Sequence, residues 1–186
     1  MLKEAHTTVQ NVNNDTQSTQ ETNLIDNYCE SFSPVVGKNP KILILGTMPS
    51  RKSLEMQEYY SHPRNIFWRI IFNLLRVDVK STYSEKIKLI KENRIALWDA
   101  CYSCTREGSL DSNIKDETPN QILDFLKRYQ SIEICIFNGQ KAREKYLKYF
   151  DYIEELEYHC LPSTSPANTS MNFQEKIEKW GNSIKI

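Results

Sequence analysis

Small polar and aromatic residues follow one short apolar run near the start of the chain. The run at 42–45 is continuously apolar, and the segment 46–50 (GTMPS) after it contains a glycine, a proline and two hydroxyls. The segment 59–68 (YYSHPRNIFW) then adds aromatic rings and a carboxamide. Such runs are typical of strands covered on both faces, and open α/β sheets bind ligands at the carboxyl ends of their strands. These residues therefore predict a binding or catalytic site, although the run alone fits the first strand of any doubly wound domain.

Three further apolar runs also end in small or polar residues. They end at 98–101 (WDAC), 137–140 (FNGQ) and 161–168 (LPSTSPAN). The sequence contains no G-x-G-x-x-G, no G-x-x-x-x-G-K-[ST] and no G-x-S-x-G. It therefore lacks the common phosphate-binding loops of nucleotide-binding proteins and the nucleophile turn of α/β-hydrolases. Aromatic rings, an amide, a carboxylate and Ser/Pro loops remain. Together they suit a flat heterocycle and phosphates held through backbone N–H and hydroxyl groups.

Cysteine and histidine spacing disfavours a metal site. Cys101 and Cys104 form a C-x-x-C pair, but a zinc site needs a second such pair or nearby histidines, and the histidines are His6, His62 and His159. The five cysteines are odd in number, and no secretory segment or long apolar span occurs. We therefore expect a cytoplasmic protein, associated with the nucleoid if the source is prokaryotic, that makes no use of a membrane.

The alternation of elements predicts the architecture that positions these residues. Residues 1–23 contain no aromatic side chain and predict a disordered leader, with one domain at 24–186. Apolar periodicity predicts strands at 41–45, 94–98, 132–137 and 156–161, and helices at about 65–76, 83–93, 118–129, 139–149 and 171–183, with a long loop reaching residue 115. The helix at 118–129 is expected to open on Thr118-Pro119. This order predicts an α/β fold, a three-layer sandwich with a four-stranded parallel sheet between helices.

The composition fits a single domain, and the balanced charges give the protein no net electrostatic attraction to a polyanion. The 186 residues are 39% hydrophobic and 11% aromatic, which suits a sizeable core. Lys+Arg and Asp+Glu are balanced at 24 each. Any contact with nucleic acid must therefore depend on local donors and few phosphates.

Five blocks, in order and at matching spacing, resemble the uracil-DNA glycosylase superfamily and, within it, the hypoxanthine (deoxyinosine) DNA glycosylase branch. They are GTMPS, YYSHPRNIFW, LWDACYSCTREGSLDSNI, FNGQKA and LPSTSPAN, and the likeness covers about 31–186. The resemblance implies a monofunctional base-excision enzyme that uses no metal or cofactor and acts on DNA containing deaminated bases. We expect the protein to act as a monomer. It implies that a damaged nucleotide, chiefly deoxyinosine and to a lesser extent uracil or xanthine, leaves the duplex and its N-glycosidic bond is hydrolysed.

The resemblance also assigns roles to residues in the first two blocks. Where several relatives position the attacking water with Asn or Asp, this chain has Met48, and in the hypoxanthine branch excision depends on the asparagine that corresponds to Asn65. Asn65 could equally cap the helix that follows it. Tyr60 is expected to stack on the extruded base, with a half-buried core tyrosine as the alternative. Thr47 and Met48 are expected beside the base, and Ser50 beside the DNA.

Roles in the other blocks follow in the same way. Asp99 stands where uracil-cleaving relatives read the base with Asn, so it is expected to act on the base or the water, or else to cap its loop. Asn138 is placed among the base-binding residues, although it could instead fix its loop. The last block supplies the DNA-binding residues Pro162, Ser163, Thr164 and Ser165, and Leu161 replaces a histidine found in uracil-specialised relatives. His62 is expected to be structural, and Arg106, Glu107 and Asp111 to form a charged loop near the site.

Two other functions fit the same residues. The replacement of two polar groups by Met48 and Leu161 would suit a non-catalytic protein that binds damaged or single-stranded DNA. Neutral net charge would suit a binder of free bases or nucleotides.

Overall fold

The computed structural model describes residues 27–79 and 82–184, so the predicted leader at 1–23 lies outside the described residues. In chain order the elements are β1 (Tyr28–Glu30), β2 (Ile42–Gly46), α1 (Arg51–Met56), α2 (Phe67–Leu75), α3 (Tyr83–Glu92), β3 (Ile95–Asp99), β4 (Cys101–Arg106), a short 3-10 helix (Asp111–Asn113), β5 (Ile114–Pro119), α4 (Ile122–Arg128), β6 (Ile134–Asn138), α5 (Gln140–Leu147), β7 (Glu157–Leu161) and α6 (Phe173–Ser183).

The central sheet confirms the predicted α/β sandwich. Its four strands are parallel in the order β3-β2-β6-β7. Every residue of β2 and β3 is buried because helices cover both faces of the sheet. Ile42 and Ile44 pack with α2, α3 and α6, whereas Leu43 and Leu45 pack with α4 and α5. Each such side chain contributes about 1.5–3 kcal/mol when fully buried, so the alternation along β2 joins the two helical layers to one sheet.

A second sheet occupies the stretch that was predicted to be a long loop, and that prediction was wrong. Strands β1, β4 and β5 form an antiparallel sheet in the order β1-β4-β5. Register shifts at Cys101/Ser103 and Ser103/Thr105 interrupt the pairing of β4 with β5. These bulges disturb the two-residue alternation by which a strand is recognised in sequence.

Two further element predictions need correction. Thr118 and Pro119 end β5 instead of opening a helix, and α4 begins only at Ile122. The Thr118 hydroxyl is hydrogen-bonded to that of Ser103 across the sheet at 2.7 Å, which holds this segment extended. The short helix α1 was not predicted. It begins after Ser50, whose hydroxyl accepts a hydrogen bond from the Ser53 N–H.

The described residues contain no cluster of three or more His, Cys, Asp or Glu side chains that could hold a metal ion. The bulged strand instead directs Cys101 and Cys104 into a buried apolar cluster with Cys29 and Met48. Burial raises the pKa of Cys101 to about 12 and that of Cys104 to about 11, so both remain unreactive thiols. No described helix is long and apolar enough to cross a membrane.

Candidate active site

A cavity of about 930 Å³ opens at the carboxyl ends of the parallel strands. All eleven residues for which the sequence predicted a role in the site line this cavity: Thr47, Met48, Ser50, Tyr60, Asn65, Asp99, Asn138, Pro162, Ser163, Thr164 and Ser165. The sheet brings them together because each predicted segment follows a parallel strand or the loop after it. Their individual roles remain predictions.

Gly46, the last residue of β2, determines how closely Asp99 approaches the next strand. Gly46 and Asp99 are register partners across β2 and β3. A Cβ atom at position 46 would overlap Oδ1 of Asp99 and lie 3.3 Å from the Tyr60 hydroxyl. The absence of a side chain at Gly46 therefore lets a carboxyl group and a phenol share one corner of the cavity.

The Asp99 carboxyl is buried, with only 3% of the residue exposed. Its Oδ2 atom has no hydrogen-bond partner among the described residues. Burial raises the pKa of Asp99 to about 7; the Tyr59 hydroxyl opposes this rise, Asp111 adds to it and Arg106 opposes it. Near neutral pH the site thus holds a carboxyl group in both its neutral and its charged form.

Two tyrosines flank this carboxyl group. The ring of Tyr60 stacks on Phe67 with centroids 3.9 Å apart, and its backbone lies in the left-handed region at φ +56°. The hydroxyls of Tyr59 and Tyr60 are buried and have no partner in good hydrogen-bonding geometry in the described part of the chain. Tyr59 nevertheless lies close enough to Asp99, and Tyr60 close enough to Asn138, for these neighbours to affect their pKa values. Burial, with Asp99 nearby, raises the pKa of Tyr60, so its hydroxyl remains a proton donor at neutral pH.

These unpaired groups are the main sign that the cavity binds a polar ligand. Buried polar atoms are nearly always hydrogen-bonded, and leaving one unpaired costs about 1–3 kcal/mol. Oδ2 of Asp99 and the hydroxyls of Tyr59 and Tyr60 are three such atoms in residues that line one cavity. A ligand with donors and acceptors on a flat ring would find partners at this corner once small side-chain movements expose these atoms to the cavity.

Asn65 lies just before α2, and its role toward the base or the water stays a prediction. Its Oδ1 atom accepts a hydrogen bond from the Phe67 N–H at 2.9 Å, which gives the first N–H of α2 a partner. The residue also lines the cavity, and its Nδ2 makes no hydrogen bond to any other described residue. His62 accepts a hydrogen bond through Nδ1 from the Arg64 N–H at 3.1 Å, as expected of a structural loop residue.

The segment 162–168, called the site loop below, is held rigidly at its centre by Thr164. The Thr164 N–H donates to Asn138 Oδ1 at 2.9 Å, and Asn138 Nδ2 donates to the Thr164 hydroxyl at 3.0 Å. The Thr164 carbonyl accepts from the Ile66 N–H. Thr164 is 1% exposed, and its N–H, hydroxyl and carbonyl are all hydrogen-bonded, the first two to the side-chain amide of Asn138. These bonds fix the shape of the loop.

Helix α6 holds the two ends of the site loop. Trp180 Nε1 donates to the Pro162 carbonyl at 3.0 Å, and Lys176 Nζ donates to the Asn168 carbonyl at 2.8 Å. Asn168 in turn donates through Nδ2 to the Ser163 carbonyl, which closes the loop. The shape of the loop is therefore set before any ligand arrives.

Two hydroxyls of the site loop keep a donor proton. Ser163 Oγ and Ser165 Oγ each accept a hydrogen bond from a backbone N–H, at 3.2 and 3.3 Å. Gly139, at φ +106°, precedes α5 and approaches the loop so closely that a Cβ atom there would lie 2.8 Å from Ser163 Cβ. Ser50, by contrast, donates to the Ser53 hydroxyl and caps α1.

The turn between β4 and β5 forms a further part of the site, where the sequence predicted a charged loop but not Ser109, Leu110 or Ser112. Ser109, Leu110, Asp111 and Ser112 all line the cavity. Arg106 bridges this turn and the first site segment, since it donates to the Pro49 carbonyl and its guanidinium lies 3.8 Å from the Asp111 carboxylate. The sequence predicted that Arg106, Glu107 and Asp111 form a charged loop near the site, but not the pairing of β4 with β5 that positions this turn.

Comparisons with known proteins agree with this geometry. The family model described as the uracil DNA glycosylase superfamily matches residues 34–183. A protein named hypoxanthine DNA glycosylase from Methanosarcina acetivorans is 38% identical over 79% of this chain and 92% of its own length. A protein of the same name from Methanosarcina barkeri is 33% identical over 84% of this chain and 98% of its own. A solution NMR structure from M. acetivorans, described provisionally as a uracil DNA glycosylase, has a TM-score of 0.71 and 34% identity, covering 83% of this chain and 95% of that one.

Proposed function

This chain belongs to the uracil DNA glycosylase superfamily, and we propose that its cavity removes deaminated bases, chiefly hypoxanthine, from DNA. The enzyme is a hydrolase of N-glycosyl bonds that acts in DNA repair. The observation that carries the proposal is the corner formed by Asp99, Tyr59 and Tyr60, where three unpaired polar atoms meet a stacked aromatic ring at the carboxyl ends of the strands.

The neutral form of Asp99 suits hypoxanthine. A protonated carboxyl group offers one O–H donor and one acceptor, which matches the O6 acceptor and the N1–H donor of the lactam edge. The departing base also carries negative charge. A carboxylate about 4 Å away would oppose that charge by about 4 kcal/mol at an effective dielectric of 20, or nearly three orders of magnitude in rate. We therefore assign catalysis to the protonated form.

Stacking and water placement complete the mechanism. The extruded base stacks on the face of Tyr60 that Phe67 does not cover, which stabilises it by about 1–3 kcal/mol. Met48 has no group that can hold a water, whereas Nδ2 of Asn65 is an uncommitted donor at the cavity. Asn65 therefore orients the water or the base, and hydrolysis needs no strong nucleophile because the sugar develops oxocarbenium character.

The surroundings of the base follow from the same geometry. Thr47 and Met48 contact the base beside Asp99, and the hydroxyls of Ser163 and Ser165 bind phosphate. Thr164 and Asn138 hold the site loop in the shape that this requires. We also propose that residues 24–186 form one domain that acts as a monomer on DNA in the cytoplasm.

An excision assay tests the proposal. Labelled duplexes holding one deoxyinosine, uracil or xanthine are incubated with the protein, and abasic sites are cleaved with alkali. We expect cleavage chiefly at deoxyinosine. Absence of cleavage at every base would refute the enzymatic function, and tight binding without turnover would favour a damage-binding protein instead.

Asn65→Asp and Asp99→Ala assign the roles in the same assay. Asn65→Asp keeps the Oδ1 atom that caps α2 and removes the Nδ2 donor, so we expect at least about a hundredfold loss with an unchanged melting temperature. Asp99→Ala should lose activity to a similar extent. Asn172→Asp is the matched control, because Asn172 caps α6 through Oδ1 and does not line the cavity. If both site variants keep full activity, the site is misassigned.

A further inference from the structure

Arg106, the last residue of β4, is a buried cation with unused hydrogen-bond donors. Its side chain is inaccessible to solvent. One nitrogen of the guanidinium donates to the Pro49 carbonyl, whereas Nε and Nη1 have no hydrogen-bond partner among the described residues. A guanidinium keeps its charge in proteins, and burying a charge is unfavourable unless it is paired and hydrogen-bonded. The hydrogen bonds of Arg106 therefore do not explain why a charge is kept at this position.

The carboxylate paired with Arg106 is that of Asp111, which lines the cavity. Oδ1 of Asp111 lies 3.8 Å from Nη1 of Arg106, too far for a hydrogen bond, and 34% of the Asp111 side chain is exposed. Burial raises the pKa of Asp111, while Thr47 and Arg106, and more weakly Lys141 and Lys145 of α5, favour its charged form. The pair thus places an anion on the wall of the cavity and a cation behind that wall.

Asp99 is the buried carboxyl group on which both charges act. The cation of Arg106 favours the charged form of Asp99, and the anion of Asp111 favours the neutral form. The other titratable side chains that interact with Asp99 come from the segment before α2, from the start of α3 and from the start of β4, and they are Tyr59, Tyr60, Tyr83 and Cys101. Burial raises the pKa of each of these four, so they are uncharged near neutral pH. Arg106 and Asp111 are therefore the charged side chains in the described part of the chain that act most on Asp99.

The position of Arg106 separates its effect from direct contact with the base. Arg106 is not among the residues that line the cavity, so its guanidinium can act on a ligand only through its neighbours. The hydrogen bond to the Pro49 carbonyl would need a single neutral donor. A full charge with two further unpaired nitrogens exceeds what that contact requires, and its evident target is the carboxyl group of Asp99.

We propose that Arg106 and Asp111 are positioning residues of opposite effect that together set the fraction of Asp99 in the neutral form, and so the pH range in which the base is excised. This inference rests on the proposed function of the cavity. Arg106 acts from behind the wall of the cavity and Asp111 from its surface. Neither residue exchanges a proton with the base.

The test removes each charge separately and measures kcat/KM on a deoxyinosine duplex from pH 6 to 9. We expect Asp111→Asn to move the midpoint of the decline in rate down by about one pH unit, and Arg106→Gln to move it up by about as much. The ratio of kcat/KM at pH 8 to that at pH 6 should then be about fivefold lower than in the wild type for Asp111→Asn and about fivefold higher for Arg106→Gln. Arg106→Lys keeps the positive charge and should stay near the wild-type midpoint.

Glu107→Gln is the matched control for Asp111→Asn. It removes the same charge from the same turn, but Glu107 is exposed and does not line the cavity, so the midpoint should not move. A loss of rate in Asp111→Asn that is equal at every pH, with an unmoved midpoint, would overturn the inference, because a purely structural role or a direct contact with the base would act in that way. This comparison decides the matter even if Arg106→Gln does not fold.

A second measurement follows the charge of Asp99 without any substrate. The carboxyl signal of Asp99, assigned in ¹³C NMR spectra by its absence from Asp99→Asn, is titrated in the free wild type and in the Asp111 and Arg106 variants. We expect the same opposite shifts of about one pH unit. Equal midpoints in all the proteins would overturn the inference. Absence of excision by the wild type would instead refute the proposed function, while the titration would still decide whether Arg106 and Asp111 set the charge of Asp99.

Discussion

Asp99 is a buried carboxyl group with an unpaired oxygen, and its charge bears both on the proposed base chemistry and on the stability of the protein. Its pKa of about 7 places the change of charge inside the physiological range. In the proposed mechanism the neutral form pairs with a lactam edge, and the charged form opposes the leaving base. We therefore expect the pH dependence of excision to follow the titration of this residue.

Replacing Asp99 by Asn should remove that pH dependence. Wild-type kcat/KM on deoxyinosine is expected to be level below about pH 7 and to fall about tenfold per pH unit above it. Asparagine offers a donor and an acceptor at every pH, so Asp99→Asn should give a level profile from pH 6 to 9. The measurement is a pH–rate profile of excision, and a decline in the variant like that of the wild type would contradict the assignment.

The same variant should change stability with a definite sign. A folded-state pKa raised from 3.8 to about 7 means that the folded protein loses stability as pH rises between those values, by about 4 kcal/mol in all. Asp99→Asn should thus be more stable than the wild type at pH 8, with a much smaller difference at pH 4. Urea unfolding at the two pH values measures the difference, and an equal effect at both would rule out a buried titrating carboxyl.

Much of the candidate site could be predicted at the residue scale because strand ends in a parallel sheet converge. The roles were harder to predict. No sequence pattern indicates that the side-chain amide of Asn138 is hydrogen-bonded to Thr164, or that the Tyr59 hydroxyl is buried beside Asp99. Such pairings depend on loop geometry, and residues that act through a neighbour have no motif of their own.

Among the elements, the antiparallel sheet is the part that sequence patterns failed to reveal. Bulges in β4 and charged residues on β5 hide the alternation, whereas the buried strands β2 and β3 are plain apolar runs. The parallel sheet and its main helices could thus be predicted. The turn between β4 and β5 carries Ser109, Leu110 and Ser112, so the missed strand pair also left these cavity residues unpredicted.

Glu117 on β5 links the antiparallel sheet to helix α5 through hydrogen bonds. Lys145 and Lys148 both donate to Glu117 Oε1, at 2.8 and 2.7 Å. Burial alone would raise the pKa of Glu117, but these two donors lower it to about 2. The stabilisation they give is fully present above the ordinary pKa of 4.5 and is lost as pH falls toward 2.

Glu117→Gln should therefore destabilise the protein in a pH-dependent way. We expect a loss of about 1–2 kcal/mol at pH 7 that shrinks markedly by pH 3, because the wild type loses the same interaction in acid. Urea unfolding at both pH values tests this. Glu144→Gln is the control, since its pair with Lys141 is on the surface and should contribute less than about 1 kcal/mol. A Glu117→Gln effect that stays constant with pH would show that packing, and not charge, is lost.

The charge of the whole molecule bears on how it holds DNA. With 24 basic and 24 acidic residues, the protein has no net field to draw it onto a polyanion. Lys141 and Lys179 are the basic side chains in the described residues that line the cavity, and Lys141 is paired with Glu144. Binding must then release few counterions, and its salt dependence should be shallow.

Lys179→Ala tests whether this lysine contributes to the salt dependence of DNA binding. Each neutralised phosphate contributes about 0.9 to the slope of log K against log salt, so the variant should reduce that slope by about one. Lys127→Ala, a lysine of α4 that does not line the cavity, should leave the slope unchanged. Fluorescence anisotropy with a deoxyinosine duplex at several salt concentrations gives the slope. Equal slopes for all three proteins would remove Lys179 from the DNA contact.

The missing side chain at Gly46 has an evolutionary consequence. Because any Cβ there would overlap the Asp99 carboxyl, positions 46 and 99 cannot drift independently. A lineage that acquires alanine at 46 must first shorten or reorient residue 99, and so change the carboxyl group to which we assign base recognition. Across homologues the two positions should covary, and the order in which they change constrains how substrate preference is gained or lost in this branch.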